Sequence, residues 1–236
     1  MRYQDAGAAT ALMVALPRNE ARGFRFQPIV RLQDLNAVGH ELLAGSAACP
    51  THTPAQWRDW YERVPEIVAE HAPEGLVFIN VDAQSIATEP SVLAALARAR
   101  HLLGGLLIVE WIEAGWLDVG CAAILALKTL GFRIAVDDVG DGADGIGRVS
   151  AVGPEFAKIS HSLFHRLRGA GADSLRHLRQ LLEGLKCEVI LEGIESREDL
   201  DLAIKAGFTL GQGWLFPALS WGSNGRQDGA RSGARP

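Results

Sequence analysis

The chain has 236 residues, 48% of them hydrophobic, and a formal net charge of −5. That length and apolar share allow one sizeable core and favour a single domain. The acidic balance gives no electrostatic basis for binding DNA, whose protein partners carry a basic face. Cys49, Cys121 and Cys187 are scattered, with no CxxC pair and no His at zinc-like spacing, so they read as packing thiols of a reducing, cytoplasmic compartment.

Residues 1–22 read as an N-terminal arm. Their apolar stretch, Ala8 to Leu16, follows Asp5 and is too short to span a bilayer, so no membrane association is expected. Apolar runs rich in β-branched residues then alternate with stretches of helical period through residues 23–219. The first two runs, FRFQPIVRL and VGHELLA, are joined only by QDLNA, which is too short for a helical crossover and predicts an antiparallel hairpin. A helix follows over residues 53–72, with Thr53 as N-cap, and Pro65 is expected to break or kink it. Strands LVFINVD, LLIVEWI, RIAVDDV, FAKIS, EVILEGI and LGQGWLF come next. Helices over 91–102, 117–131, 173–186 and 196–207 lie among them, with Ser196 as a cap and Gly131 and Gly207 as stops. Eight strands alternating with helices predict an α/β fold, a (β/α)₈ TIM-like barrel with an antiparallel first strand. Residues 220–236, rich in Gly, Arg and Ser, are expected to form a disordered tail.

Nearly every strand runs into a residue foreign to a core: Glu41, Asn80, Glu110, the pair Asp137 and Asp138, Lys158, Glu192 and Gln212. Any one acid there is more readily a helix cap or a solvated loop residue. Their recurrence at successive strand ends argues for one shared mouth, the face on which this architecture carries its active sites. Converging carboxylates would raise one another's pKa values unless cations neutralised them. Oxygen ligands with an Asn carbonyl suit Mg²⁺ or Mn²⁺, and two adjacent Asp residues suit two ions, the clamp used to hydrolyse phosphodiesters. The Gly-rich acidic loop after Asp138 does not keep EF-hand alternation, and Arg148 stands where the closing Glu would be. His161 and His165 have i,i+4 spacing, but no third ligand is apparent, and a solvated helix start is the simpler reading.

FQPIV, GHELLAG, FINVD, VEWIE, AVDDVGDG, FAKIS, LEGIES and GQGWLF, in that order, resemble the motif strands of the EAL domain phosphodiesterases, with Leu42 in place of the usual Ala. The resemblance implies metal-dependent hydrolysis of cyclic di-GMP to linear pGpG with two Mg²⁺ or Mn²⁺ ions, in a homodimer. By it, Glu41, Asn80, Glu110 and Asp137 would hold one ion, and Asp137 would bridge to a second held with Asp138 and Glu192. Lys158 would orient the attacking water, Glu195 would support Lys158 and the metal shell, and Gln212 would hydrogen-bond near the metal water or substrate. Gln27 and Asp138 would also contact substrate, and Glu113 would anchor the loop after the Asp pair. Departures are Gly45 where the family carries a substrate-gripping Arg, Ser160 for an Asp, Asp141 and Asp144 in the loop, and a shorter segment between Glu41 and Asn80. These departures frame a second reading, a cyclic di-GMP receptor or a regulator that binds a protein partner.

Overall fold

The computed structural model describes residues 24–44, 53–112, 117–142, 145–217 and 219–220. The arm at 1–22, Gly45, Cys49, Glu113, Asp144 and the tail beyond residue 220 lie outside them. Strands β1 (Phe24–Arg31) and β2 (Ala37–Ala44) form the antiparallel hairpin expected from the short connection. Strands β3 (Leu76–Val81), β4 (Leu107–Trp111), β5 (Arg133–Val139), β6 (Phe156–Ile159), β7 (Glu188–Leu191) and β8 (Leu210–Gly211) then follow in parallel, each beside its predecessor. Because β1 pairs with both β2 and β8, the sheet closes into an eight-stranded barrel in which β1 alone runs against the rest. A two-residue strand, β9 (Leu219–Ser220), pairs with the start of β1, so Ser220, read from sequence as tail, is a sheet residue.

Helices cover the outside: α1 (Pro54–His71), α2 (Ala83–Thr88), α3 (Pro90–Leu103), α4 (Leu117–Thr129), α5 (Gly145–Val152), α6 (His161–Leu167), α7 (Ala172–Gly184) and α8 (Arg197–Lys205). Strand side chains alternate between two environments, as the period of two requires. Val77, Ile79, Leu107, Val109, Ile134, Val136, Ala157, Val189 and Leu191 pack outward into the helix layer. Ile29, Phe78, Ile108, Ala135, Phe156, Ile190 and Leu210 point inward and fill the barrel floor as a separate apolar cluster. That floor decides what comes above it. The next inward residue on each parallel strand lies two positions further along, nearer the mouth.

Helix α1 is continuous through Pro65, which corrects the expected break. Proline in a helix interior costs about 3 kcal/mol, but Trp57, Tyr61, Val64 and Val68 bury one stripe across both sides of it and hold the axis together. Helices α2 and α5 were not foreseen. Asp82, which sequence assigned to the end of a strand, instead caps α2 by accepting from the Gln84 and Ser85 amides at 3.1 and 3.3 Å. Helix α5 carries Gly145 and Gly147 in eight residues, a composition that opposes helix formation.

Both foreseen caps are present. Thr53 accepts from the Gln56 amide, and Ser196 makes a full capping box with Asp199: the Ser196 hydroxyl accepts from the Asp199 amide at 3.1 Å, and the Asp199 carboxylate accepts from the Ser196 amide at 3.1 Å. This box fixes the start of α8, directly behind the segment that follows Glu192. Ser196→Ala should lower unfolding stability by about 1 kcal/mol, read as a reduced urea midpoint at unchanged slope.

Candidate metal centre

Two residues above the apolar floor, the parallel strands present Glu41, Asn80, Glu110, Asp137, Lys158, Glu192 and Gln212. Gln27 of β1 sits opposite Glu41 in the antiparallel register, and opposite residues share a face. The layer is therefore polar all round and stands on a dry base.

Lys158 occupies its middle. Its side chain is 1% exposed, and Nζ lies 3.0 Å from Glu41, 3.1 Å from Glu110, 3.1 Å from Asp137 and 2.8 Å from Glu192. An ammonium donates three hydrogen bonds and carries one charge, so it cannot satisfy four carboxylates. Glu41 is the best supplied of them: Lys158, Gln212 (2.7 Å) and Asn80 (3.2 Å) all donate to it. Burial pushes Glu41 upward, but the Lys158 charge and these donors outweigh it and hold Glu41 below the usual carboxylate range. The others go the opposite way. Burial, with the Glu41 charge adding, drives Glu110 well up. Burial against the opposing Lys158 charge leaves Glu192 at about 8, and burial with the Asp137 charge pushes Asp138 to about 7. Lys158 in turn is held well above the ordinary lysine value, because Asp137, Glu110, Glu192 and Glu41 outweigh its burial.

Adjacent strand residues ordinarily face opposite sides, yet Asp137 and Asp138 both reach the mouth. The pairing of β5 with β6 shifts register between Val136 and Val139, and Asp138 adopts φ 51°. That left-handed turn costs a non-glycine residue about 1–2 kcal/mol, Asp and Asn being the side chains that tolerate it best. It brings carboxylate oxygens of Asp137, Asp138 and Glu192 within 4.8 Å of one another.

Arg148 supports this turn from behind. It is 2% exposed, and its guanidinium donates to the carbonyls of Trp111 at 3.1 Å and Asp137 at 2.9 Å while lying over the Trp111 ring. Sequence reasoning gave Arg148 no role in the site. A signal was available: Gly145, Arg148, Val149 and Val152 form the buried stripe of α5, so a charge sits at an apolar position of the helical repeat.

Glu195 does not join the layer. Gly193 turns the chain at φ 77°, and the Glu195 carboxylate, 41% exposed, pairs with His161 at 3.3 Å instead of Lys158. The expected support of Lys158 by Glu195 is thus replaced by Glu41, Glu110, Asp137 and Glu192 themselves. Ser160, standing for an Asp, caps α6 by accepting from the Leu163 amide. Asp141 bonds Ser162 and lies 3.5 Å from Arg166, so its charge is directed to α6.

The donor set fits divalent cations. Among the described residues, Asn80 Oδ1, Glu110 Oε2 and Gln212 Oε1 are buried oxygens with no hydrogen-bond partner, and Glu110 Oε1 and Asp137 Oδ1 have only the shared Lys158 ammonium, 3.1 Å from each and poorly aligned for a hydrogen bond. Buried acceptors are rarely left so. Carboxylate and amide oxygens are the ligands that hard ions such as Mg²⁺ and Mn²⁺ take.

Barrel, reversed first strand and acid ring together define an EAL-type domain. The EAL domain family model matches residues 53–218, and the chain belongs to that family. The probable cyclic di-GMP phosphodiesterase PdeG of Escherichia coli is 31% identical over 160 residues, covering 63% of this chain and 31% of that protein. The blue light- and temperature-regulated antirepressor BluF of the same organism is 25% identical over 162 residues, covering 62% of this chain and 40% of BluF. The chain thus spans under half the length of these relatives. The manganese and cyclic di-GMP complex of Klebsiella pneumoniae BlrP1 superposes with a TM-score of 0.70 at 20% identity over 87% of this chain and 59% of that one, a likeness of fold.

Two predictions follow from the charge arrangement. Asp138 and Glu192 hold protons in the folded chain at pH values where the unfolded chain, at 3.8 and 4.5, has released them. Folding stability then declines as pH rises from the ordinary carboxylate range through about 7 and about 8. In chelator, the urea midpoint should fall between pH about 5 and about 9, and added Mg²⁺ should flatten the curve. Arg148→Met should cost roughly 2–3 kcal/mol in the same assay by removing charged donors from two buried carbonyls.

Proposed function

We propose that this chain hydrolyses cyclic di-GMP to linear pGpG with two divalent cations. The observation that carries the reading is the closed polar layer around Lys158, in which one ammonium is shared by four carboxylates and buried oxygens of Asn80, Glu110 and Gln212 have no partner. Glu41, Asn80, Glu110 and Asp137 would hold one ion, and Asp137, Asp138 and Glu192 the other. Bound there, the cations would supply the charge that keeps the acids ionised and the Lewis acidity that phosphodiester hydrolysis needs.

The chain's own residues do the rest. With its acids neutralised, Lys158 no longer has to serve four carboxylates and can donate to an attacking water or to a phosphate oxygen. Gln212, bonded to Glu41, keeps its amide oxygen free toward the same space, and Gln27 across the hairpin lies on the substrate side. The apolar floor of Phe78, Phe156 and Ile190 excludes water from below, which strengthens every charge above it. A nucleotide substrate fits a cytoplasmic site, and a homodimer belongs to this reading. Among the described residues no helix is long and apolar enough to cross a membrane.

A second reading has its own support. Gly45 replaces the Arg that the family resemblance places against substrate, and BluF, an antirepressor, is among the relatives. On that reading the chain is a cyclic di-GMP receptor or binds a protein partner.

Purified protein incubated with cyclic di-GMP and Mg²⁺ or Mn²⁺ should release pGpG, and Glu41→Ala should reduce turnover by at least about a hundredfold. Nucleotide binding with no turnover above the Glu41→Ala level would replace the first reading with the second.

A further inference from the structure

Away from the barrel centre, one other group of side chains among the described residues is arranged as a ligand set. His161 opens α6, His165 lies one turn later, and Glu195 comes from the segment between β7 and α8. The spacing HSLFH by itself names no third ligand. The left-handed turn at Gly193 supplies it, swinging Glu195 until its carboxylate oxygen lies 3.3 Å from His161 Nε2.

Three features distinguish this group from an ordinary exposed ion pair. First, the two imidazoles lie with centroids 4.1 Å apart and planes tilted by 33°, and a ligand atom from each of the three residues lies within 4.8 Å of the others. Two imidazoles this close can each offer a ring nitrogen to one shared cation. Second, His165 Nε2 is 3.3 Å from the Gly193 carbonyl. Donation there leaves Nδ1 unprotonated and fixes the tautomer, the usual way a ligating histidine is oriented. Third, Gly193 leaves room for the His161 ring, since a Cβ at that position would stand 2.4 Å from His161 Cδ2.

We propose that His161, His165 and Glu195 form a second cation site that takes a borderline transition ion such as Zn²⁺. Two imidazole nitrogens and one carboxylate oxygen are a zinc donor set with one position left open. The barrel centre, by contrast, offers oxygen ligands suited to hard ions. Side chains of the three residues are exposed or half-buried, so an ion can reach them directly. An ion held here would tie α6 to the β7–α8 segment only three residues beyond Glu192. The site therefore borders the acid layer without sharing a ligand with it, and it does not depend on the phosphodiesterase reading.

The test is equilibrium dialysis of the full chain against Zn²⁺ in a large excess of Mg²⁺, with bound zinc measured by elemental analysis and folding checked by circular dichroism. The wild type should retain about one equivalent. His161→Gln and His165→Gln should each weaken retention by at least about tenfold, Glu195→Gln should weaken it too, and Glu41→Ala should leave it unchanged. Zinc should raise the melting temperature of the wild type and not that of the double histidine variant. No zinc retained under excess Mg²⁺, equal retention by the folded double variant, or loss of zinc in folded Glu41→Ala would each overturn the site.

Discussion

The structure turns on one charge imbalance: a single buried ammonium, Lys158, facing Glu41, Glu110, Asp137 and Glu192 at 2.8–3.1 Å. Each buried ion forfeits several kcal/mol of hydration, and one cation cannot return that to four acids. The layer is thus a local liability, sustained by the apolar floor and helix layer around it. Its members share the burden unequally. Glu41 collects the donors and stays ionised, while burial and neighbouring charge push Glu110 and Glu192 toward the protonated form. A layer in that condition has a standing demand for positive charge, and its oxygen donors are the kind that divalent cations take.

The backbone makes a matching investment. Asp138 is held in a left-handed conformation inside a strand, where the register slips by one step. That conformation places a second carboxylate on the face already occupied by Asp137. Arg148 steadies the turn through the Asp137 carbonyl and joins it to the end of β4 through the Trp111 carbonyl. The guanidinium is thus buried on carbonyls rather than on an acid, which leaves the carboxylates of the mouth free for other partners.

Most of the architecture could be read in the chain because strand and helix periods differ and the apolar runs keep them cleanly. The five-residue link QDLNA specified the reversed first strand through simple reach, and polar residues interrupting apolar runs marked the layer. Other features have no linear signature. Two glycines masked α5, and tertiary packing on both sides of Pro65 overrode its local preference. The positive φ of Asp138 and the turn at Gly193 decide which way Asp138 and Glu195 point, and neither can be inferred from spacing. That is why Glu195 was expected beside Lys158 and is found beside His161.

Among the described residues, two departures from the family pattern, Ser160 and Asp141, fall outside the acid layer. Ser160 is spent on capping α6, and Asp141 is drawn to Ser162 and Arg166 on the same helix. These changes rework the contacts of the rim while leaving every inward strand position of the layer polar. A chain whose task was only to dock a partner on its outer surface would gain stability by replacing buried, mutually repelling acids with apolar residues of similar size. Keeping them on every side of Lys158, at an energetic cost that the contacts of Ser160 and Asp141 do not relieve, is the physical argument that favours a role for the barrel mouth itself.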